Sequence, residues 1–140
     1  AYHDVAEDIL TDFHPWLDSI YFKADAYLLK VAGTVAEKAP AGSRVVFGRT
    51  VTGEEFIDEN KRAYIWEKYM PLCVDMETAG IAHVCHVNGI PFISVRSVTD
   101  TPDQRGRDEF ERNCEKASQI SAEYVRRMLK EIGSPVSPLA

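Results

Sequence analysis

Apolar residues fall into two patterns along this chain of 140 residues. Where they recur three and four apart, they predict helices. Ala24 to Lys38 places Leu28, Val31, Ala32 and Val35 on one face, and Pro40 and Gly42 end it. A second helix, reaching Tyr69, has a partly apolar face of Ala63, Ile65, Trp66 and Tyr69. A third, Asp108 to Ile132, carries Phe110, Cys114, Ala117, Ser121, Tyr124, Val125, Met128 and Ile132 as one stripe, with Glu, Arg and Lys opposite and Gly133-Ser134-Pro135 as its stop. One stripe on a single helix predicts a cover for a sheet rather than a coiled coil. Burying such faces contributes roughly 1.5 to 3 kcal/mol per large aliphatic side chain, which makes these helices scaffold.

Where apolar residues run consecutively, they predict strands. Arg44 to Thr50 is one, through Val45-Val46-Phe47, with a turn at Gly53. Pro71 to Val74 and Pro91 to Val95 are two more, short and expected to be buried on both faces. Between these two, Ala79, Ile81, Ala82, Val84 and Cys85 have helical spacing, and Asn88-Gly89 supplies a stop. Strand, helix and strand in so short a stretch predict a βαβ unit with parallel strands and a right-handed crossover. Ligands of open parallel sheets sit outside the carboxyl ends of the strands. Those ends are Asp75-Met76-Glu77 and Ser97-Val98-Thr99-Asp100, so Glu77 and Asp100 are expected to face one crevice. A plainer reading stands beside this one: acidic residues after a strand commonly cap the next helix, and Asp75 and Thr78 are both N-cap candidates.

Composition narrows the function classes. The length suits a single domain with an ordinary apolar fraction of 45%, and no run is long enough to cross a membrane. The formal charge of −6, with no basic stripe to neutralise phosphates, argues against a nucleic-acid partner. Three cysteines, odd in number and far apart, predict a reducing, cytoplasmic setting rather than a disulfide framework. Cys73 and Cys85 read as small core residues. His83 and His86 read as helix-surface or interface residues rather than metal ligands, because no third ligand lies at useful spacing, and no metal is expected. The start at Ala1 sets up the expectation of a truncated chain.

Four blocks carry a family resemblance. Tyr2-His3-Asp4-Val5 with Phe22-Lys23-Ala24-Asp25, then Phe56-Ile57-Asp58, then Val74-Asp75-Met76-Glu77, then Pro91-Phe92 through Arg96-Ser97-Val98-Thr99-Asp100 resemble the nucleoside phosphorylase and nucleosidase superfamily. Within it the chain is most similar to the 5'-methylthioadenosine/S-adenosylhomocysteine nucleosidases, from Tyr2 to about Ile132. The resemblance implies an α/β fold, part of a three-layer α/β/α sandwich with a mixed central sheet. Residues 1–132 would be the C-terminal part of a single domain and 133–140 a tail. The N-terminal strands, with the water-activating glutamate, would lie outside this chain, and a second polypeptide is one way to supply them. The resemblance further implies a homodimer, or a hexamer for a phosphorylase-like protein. Ile9, Leu10, Phe13 or Trp16 would be lent to the neighbouring subunit's pocket, although this stretch departs most from the nucleosidase pattern and leaves the 5' substituent open.

The chemistry implied is cleavage of an N-ribosidic bond to adenine, without a cofactor. Asp100 matches the general acid at purine N7. An aspartic acid with a pKa near 3.9 is ionised at neutral pH, and burial under the base would favour the protonated form that a donor needs. Glu77 matches the acceptor of the ribose 2' and 3' hydroxyls, and Met76 the apolar surface under the sugar. Phe56 would stack on the base and the backbone of Ile57 would bond its edge, although pattern alone makes Phe56 a core residue. Arg96 is expected to orient the nucleophile or pair with a carboxylate, and Thr99 to fix Asp100. The segment Thr101 to Arg107 is either a flap over the base or an ordinary loop. Hydrolysis is preferred because the Phe-Ile-Asp and Tyr-His-Asp-Val blocks look more like a nucleosidase. Phosphorolysis, a futalosine-like hydrolase and a non-catalytic nucleoside-binding relative remain as alternatives.

Overall fold

The computed structural model describes residues 19–40, 44–55, 57, 59–99 and 107–133, with 59, 60 and 107–112 described by backbone alone. The described residues fall into two compact units, one drawn from 19–25 and 46–93, the other from 26–45 and 94–133. Tyr2 to Val5, the apolar residues Ile9, Leu10, Phe13 and Trp16, the segment 101–106 and the tail from 134 lie outside the described residues.

In the first unit, β1 (Thr50–Thr52) pairs with β2 (Cys73–Asp75), parallel, and α2 (Glu59–Tyr69) joins them. Thr50 stands beside Cys73, Val51 beside Val74 and Thr52 beside Asp75. Leu72 N–H donates to the Arg49 carbonyl at 2.8 Å and Gly53 N–H to the Asp75 carbonyl at 2.9 Å, so the ladder continues one bond past each end. Arg49 also ties down the end of α2. Its guanidinium donates to the Tyr69 carbonyl at 2.6 Å and lies 4.2 Å from the centroid of the Tyr21 ring. Met70 follows in the left-handed region, φ 45°, a conformation that helix ends normally assign to glycine.

A third helix, α3 (Thr78–Val87), ends as its Asn88-Gly89 stop predicts. Gly89 has φ 64°, its N–H reaches the His86 carbonyl at 3.2 Å, and Ile90 N–H reaches the Cys85 carbonyl at 2.8 Å. That pair of bonds is a Schellman motif. Ile65, Tyr69, Thr78 and Ala82 are the buried residues of this unit. His83 and His86 are on the helix surface, as expected, and the His83 ring stacks on Phe22 with centroids 5.2 Å apart.

In the second unit α1 (Ala26–Glu37) packs on α4 (Arg107–Gly133). Val31, Ala32 and Val35 are buried from α1, and Ala117 and Met128 from α4, all at positions that the helical spacing singles out. Tyr124 Oη donates to the Ala32 carbonyl at 2.6 Å, and Lys38 pairs with Glu131 at 3.0 Å. Burial pushes the Tyr124 hydroxyl pKa up from its ordinary value.

Several strand expectations need correction. The stretch expected as a strand from Pro71 to Val74 forms one over Cys73–Asp75, and it is not buried on both faces, because Val74 is 41% exposed and Cys73 only half-buried. Pro91 to Val95 carries no strand, so the βαβ unit is not completed there. A strand needs a hydrogen-bonded neighbour. The Phe92 carbonyl accepts from Asp25 N–H at 2.8 Å, but among the described residues no strand pairs with this segment. Arg44 to Thr50 is likewise irregular until Thr50, with Val46 57% and Phe47 51% exposed. Within its unit the stripe of α4 packs on α1, and Trp66 of α2 is 64% exposed although its spacing suited a buried face. Cys85 is half-buried rather than core.

Candidate functional site

At the carboxyl end of β2 the chain bends through Met76 and Glu77 before α3 begins at Thr78. Glu77 occupies the N-cap position, with φ −128° and ψ −32°, yet its side chain makes no capping bond to the helix. The capping is done from the strand. Asp75 Oδ1 accepts from Glu77 N–H at 3.1 Å and from Thr78 N–H at 3.0 Å, and Asp75 Oδ2 accepts from the Thr78 hydroxyl. Of the two N-cap candidates, Asp75 supplies the acceptor and Thr78 is one of its donors.

The neighbouring strand joins in. Thr52 Oγ1 donates to Asp75 Oδ1 at 2.7 Å and accepts from Ala79 N–H at 2.9 Å. The register brings this about, because Thr52 stands beside Asp75 in the parallel pair. Thr78 is buried, and a buried hydroxyl is tolerated where it is hydrogen-bonded, as it is here to Asp75. The bend is thus built on polar contacts, with Met76, 49% exposed, and the exposed Glu77 at its tip.

The other candidates divide by unit. Ile57 belongs with Met76 and Glu77 in the first unit and is half-buried ahead of α2. Arg96, exposed, and Thr99, half-buried, belong to the second. The Thr99 carbonyl accepts from Asn113 Nδ2 at 3.0 Å, which fixes the backbone just before position 100 to α4. Phe56, Asp58 and Asp100 lie outside the described residues, and so does the convergence of Glu77 and Asp100. An open groove in the second unit, with Val95, Ser121, Val125 and Leu129 among its lining, contains none of the candidate residues. Among the described residues no group of three or more His, Cys, Asp or Glu side chains could hold a metal ion. No helix among them is long and apolar enough to cross a membrane.

Sequence reasoning passed over Thr52. Its one local signal is a β-branched hydroxyl residue just before Gly53 at a strand end, and its partner in the sequence is 23 residues away. Chemically, the bend offers a carboxylate acceptor next to an apolar thioether at the carboxyl end of a parallel strand. Such a pair suits a ligand with neighbouring hydroxyls on an otherwise apolar ring.

Comparison with known proteins identifies the family. A family model described as the phosphorylase superfamily matches residues 1–130. The chain is similar to the 5'-methylthioadenosine/S-adenosylhomocysteine nucleosidase of Actinobacillus succinogenes, 39% identical over 113 residues, covering 79% of this chain and 48% of that protein. The nucleosidase of the same name from Bacillus pumilus is 35% identical over 112 residues, with the same shares covered. The chain therefore spans about half the length of the curated relatives it matches. Among solved structures it is similar to the Neisseria meningitidis nucleosidase of that name in complex with methylthio-immucillin-A. That likeness has a TM-score of 0.77 and 30% identity, over 93% of this chain and 58% of the other. It is also similar to the futalosine hydrolase of Helicobacter pylori, with a TM-score of 0.76 and 26% identity over 92% of this chain and 56% of that one. A match running from residue 1 to residue 130 and the shared nucleoside phosphorylase-like fold lead to one conclusion: the chain belongs to the phosphorylase superfamily.

Proposed function

We propose that the protein containing this chain cleaves the N-ribosidic bond of adenine nucleosides such as 5'-methylthioadenosine and S-adenosylhomocysteine, releasing adenine by hydrolysis. The observation that carries the reading is the bend after β2. It presents Met76 and Glu77 at the carboxyl end of a parallel strand, while Asp75 rather than Glu77 caps α3. The similarity to nucleosidases supports the same reading.

Such a bond breaks as the base departs and the sugar becomes oxocarbenium-like. Glu77 accepts hydrogen bonds from the two ribose hydroxyls, and its charge favours the sugar as it turns positive. Met76 gives the ribose an apolar floor. Asp100 donates a proton at N7, Phe56 stacks on the adenine, and the Ile57 backbone bonds its edge. Arg96 and Thr99 orient the nucleophile and Asp100. In this reading the glutamate that activates water lies outside this chain. In this reading residues 1–132 form part of a three-layer α/β/α sandwich with a mixed sheet, and the active form is a cytoplasmic homodimer. A second reading, hydrolysis of a futalosine-like nucleoside, is favoured by the likeness to futalosine hydrolase, which extends over 92% of this chain.

The test is adenine release from methylthioadenosine by the full-length protein, with and without phosphate. The expected outcome is release that ignores phosphate and leaves free methylthioribose. A phosphate requirement with a ribose 1-phosphate product would replace hydrolysis by phosphorolysis, and cleavage of futalosine alone would favour the second reading. Asp100→Asn should lower turnover about 100-fold or more while sparing nucleoside binding. Unchanged turnover in that variant removes Asp100 from the acid role.

A further inference from the structure

We propose that Thr52 and Asp75 are positioning residues that aim Glu77 at the ribose, an inference that rests on the reading of Glu77 as the diol acceptor. The first N–H groups of a helix have no partner within it, and an ordinary N-cap satisfies one of them. Here three successive amides are held by side chains from the sheet. Glu77 N–H and Thr78 N–H go to Asp75 Oδ1 at 3.1 and 3.0 Å, and Ala79 N–H goes to Thr52 Oγ1 at 2.9 Å. The two anchors are themselves joined, Thr52 Oγ1 to Asp75 Oδ1 at 2.7 Å, and the Thr78 hydroxyl closes on the remaining carboxylate oxygen.

The bond to Glu77 N–H sets this apart from a cap that serves the helix alone. It pins the backbone of Glu77, a residue outside the helix proper, and so fixes where its side chain starts. Thr52 extends that hold to β1, on the far side of the ladder from Glu77. A carboxylate that must meet two hydroxyls at once tolerates little displacement, and a misplacement of about 1 Å can lower rates by up to about 100-fold.

The experiment compares binding of free adenine with binding of a carbon-linked adenine nucleoside analogue, which has no N-ribosidic bond to break, in the full-length protein. Glu77→Gln, Thr52→Val and Asp75→Ala should each weaken the analogue about ten-fold or more and leave adenine within about two-fold. Thr52→Ser should bind both as the natural protein does. Adding Thr52→Val to Glu77→Gln should produce little further loss, because both act through one contact. Ala82→Gly, which loosens α3 from within, controls for destabilisation and should leave the ratio of the two affinities unchanged. If Glu77→Gln is selective for the analogue and Thr52→Val is not, or if Ala82→Gly shifts the ratio as Thr52→Val does, the positioning role is overturned and the diol reading stands. If Glu77→Gln weakens adenine and analogue equally, the diol reading falls and takes the positioning role with it.

Discussion

Around α1 and α4 the contacts are mainly apolar: Val31, Ala32 and Val35 are buried from one helix, Ala117 and Met128 from the other, while the Tyr124 hydroxyl and the Lys38–Glu131 pair reach across. Around the bend after β2 they are mainly polar. Thr52, Asp75 and Thr78 engage three backbone amides and one another, while Val74 between them is 41% exposed. The contrast separates two tasks. Apolar burial is non-directional and gives stability in proportion to area, whereas hydrogen bonds add little net stability but fix directions. The helix pair therefore serves as scaffold, and the bend fixes the course of its own backbone.

The sharpest way to break this contrast is to cut into the apolar pair. Met128→Ala removes one of the most deeply buried side chains of α4, and it should lower stability by about 2 to 5 kcal/mol in urea unfolding. A loss well under 1 kcal/mol would mean that the α1–α4 face is not a closed core. A smaller effect of opposite sign is expected at the turn leading into β2. Met70 holds φ 45°, and the left-handed region costs an ordinary residue about 1 to 2 kcal/mol. Glycine removes that cost but adds freedom to the unfolded chain, so Met70→Gly should stabilise by less than about 1 kcal/mol, seen as a small rise in melting temperature. A fall would show that the exposed Met70 side chain contributes more than its backbone costs.

The smallest effect belongs to the exposed charges of α4. Hydrogen bonds from Arg126 and then Arg127, at 2.6 and 2.8 Å, hold the Glu123 carboxyl down at about 2, below its ordinary 4.5. A carboxyl depressed in the folded state contributes stability that is present above its unfolded value and is lost as pH falls through the folded one. The melting-temperature difference between the natural protein and Glu123→Gln should thus be small above pH 4.5, vanish toward pH 2, and shrink in high salt. A difference that survives both acid and salt would point to packing rather than charge.

The same contrast explains what was legible in the sequence. Helices were, since Leu28 to Val35 and Cys114 to Met128 repeat at 3.6 residues whatever they pack against, and Asn88-Gly89 marks a chain reversal that needs φ above zero. The partner of the α4 stripe was not, because a stripe records that a face is covered and not by what. Strand extents at 44–49 and 91–95 were overestimated for a related reason. An apolar β-branched run favours extension, but only a neighbouring backbone makes it a strand. Met76 and Glu77 follow the strand, as the position of the apolar run before them suggested. Asp75 was seen only as a cap candidate, and Thr52 not at all, since their bond joins residues 23 apart and follows from register alone.

That register has a consequence for how faithfully the protein is made. The ladder is three residues long on each side, so it contains little redundancy by which to reject a misaligned pairing. A slip of one residue would set Thr52 beside Val74 and turn every β1 side chain to the opposite face. The hydroxyl would then meet no carboxylate, and Ala79 N–H would lose its acceptor. The Thr52 and Asp75 pair therefore favours one alignment, because a slipped sheet forfeits the hydrogen bonds that tie β1 to β2 and to α3.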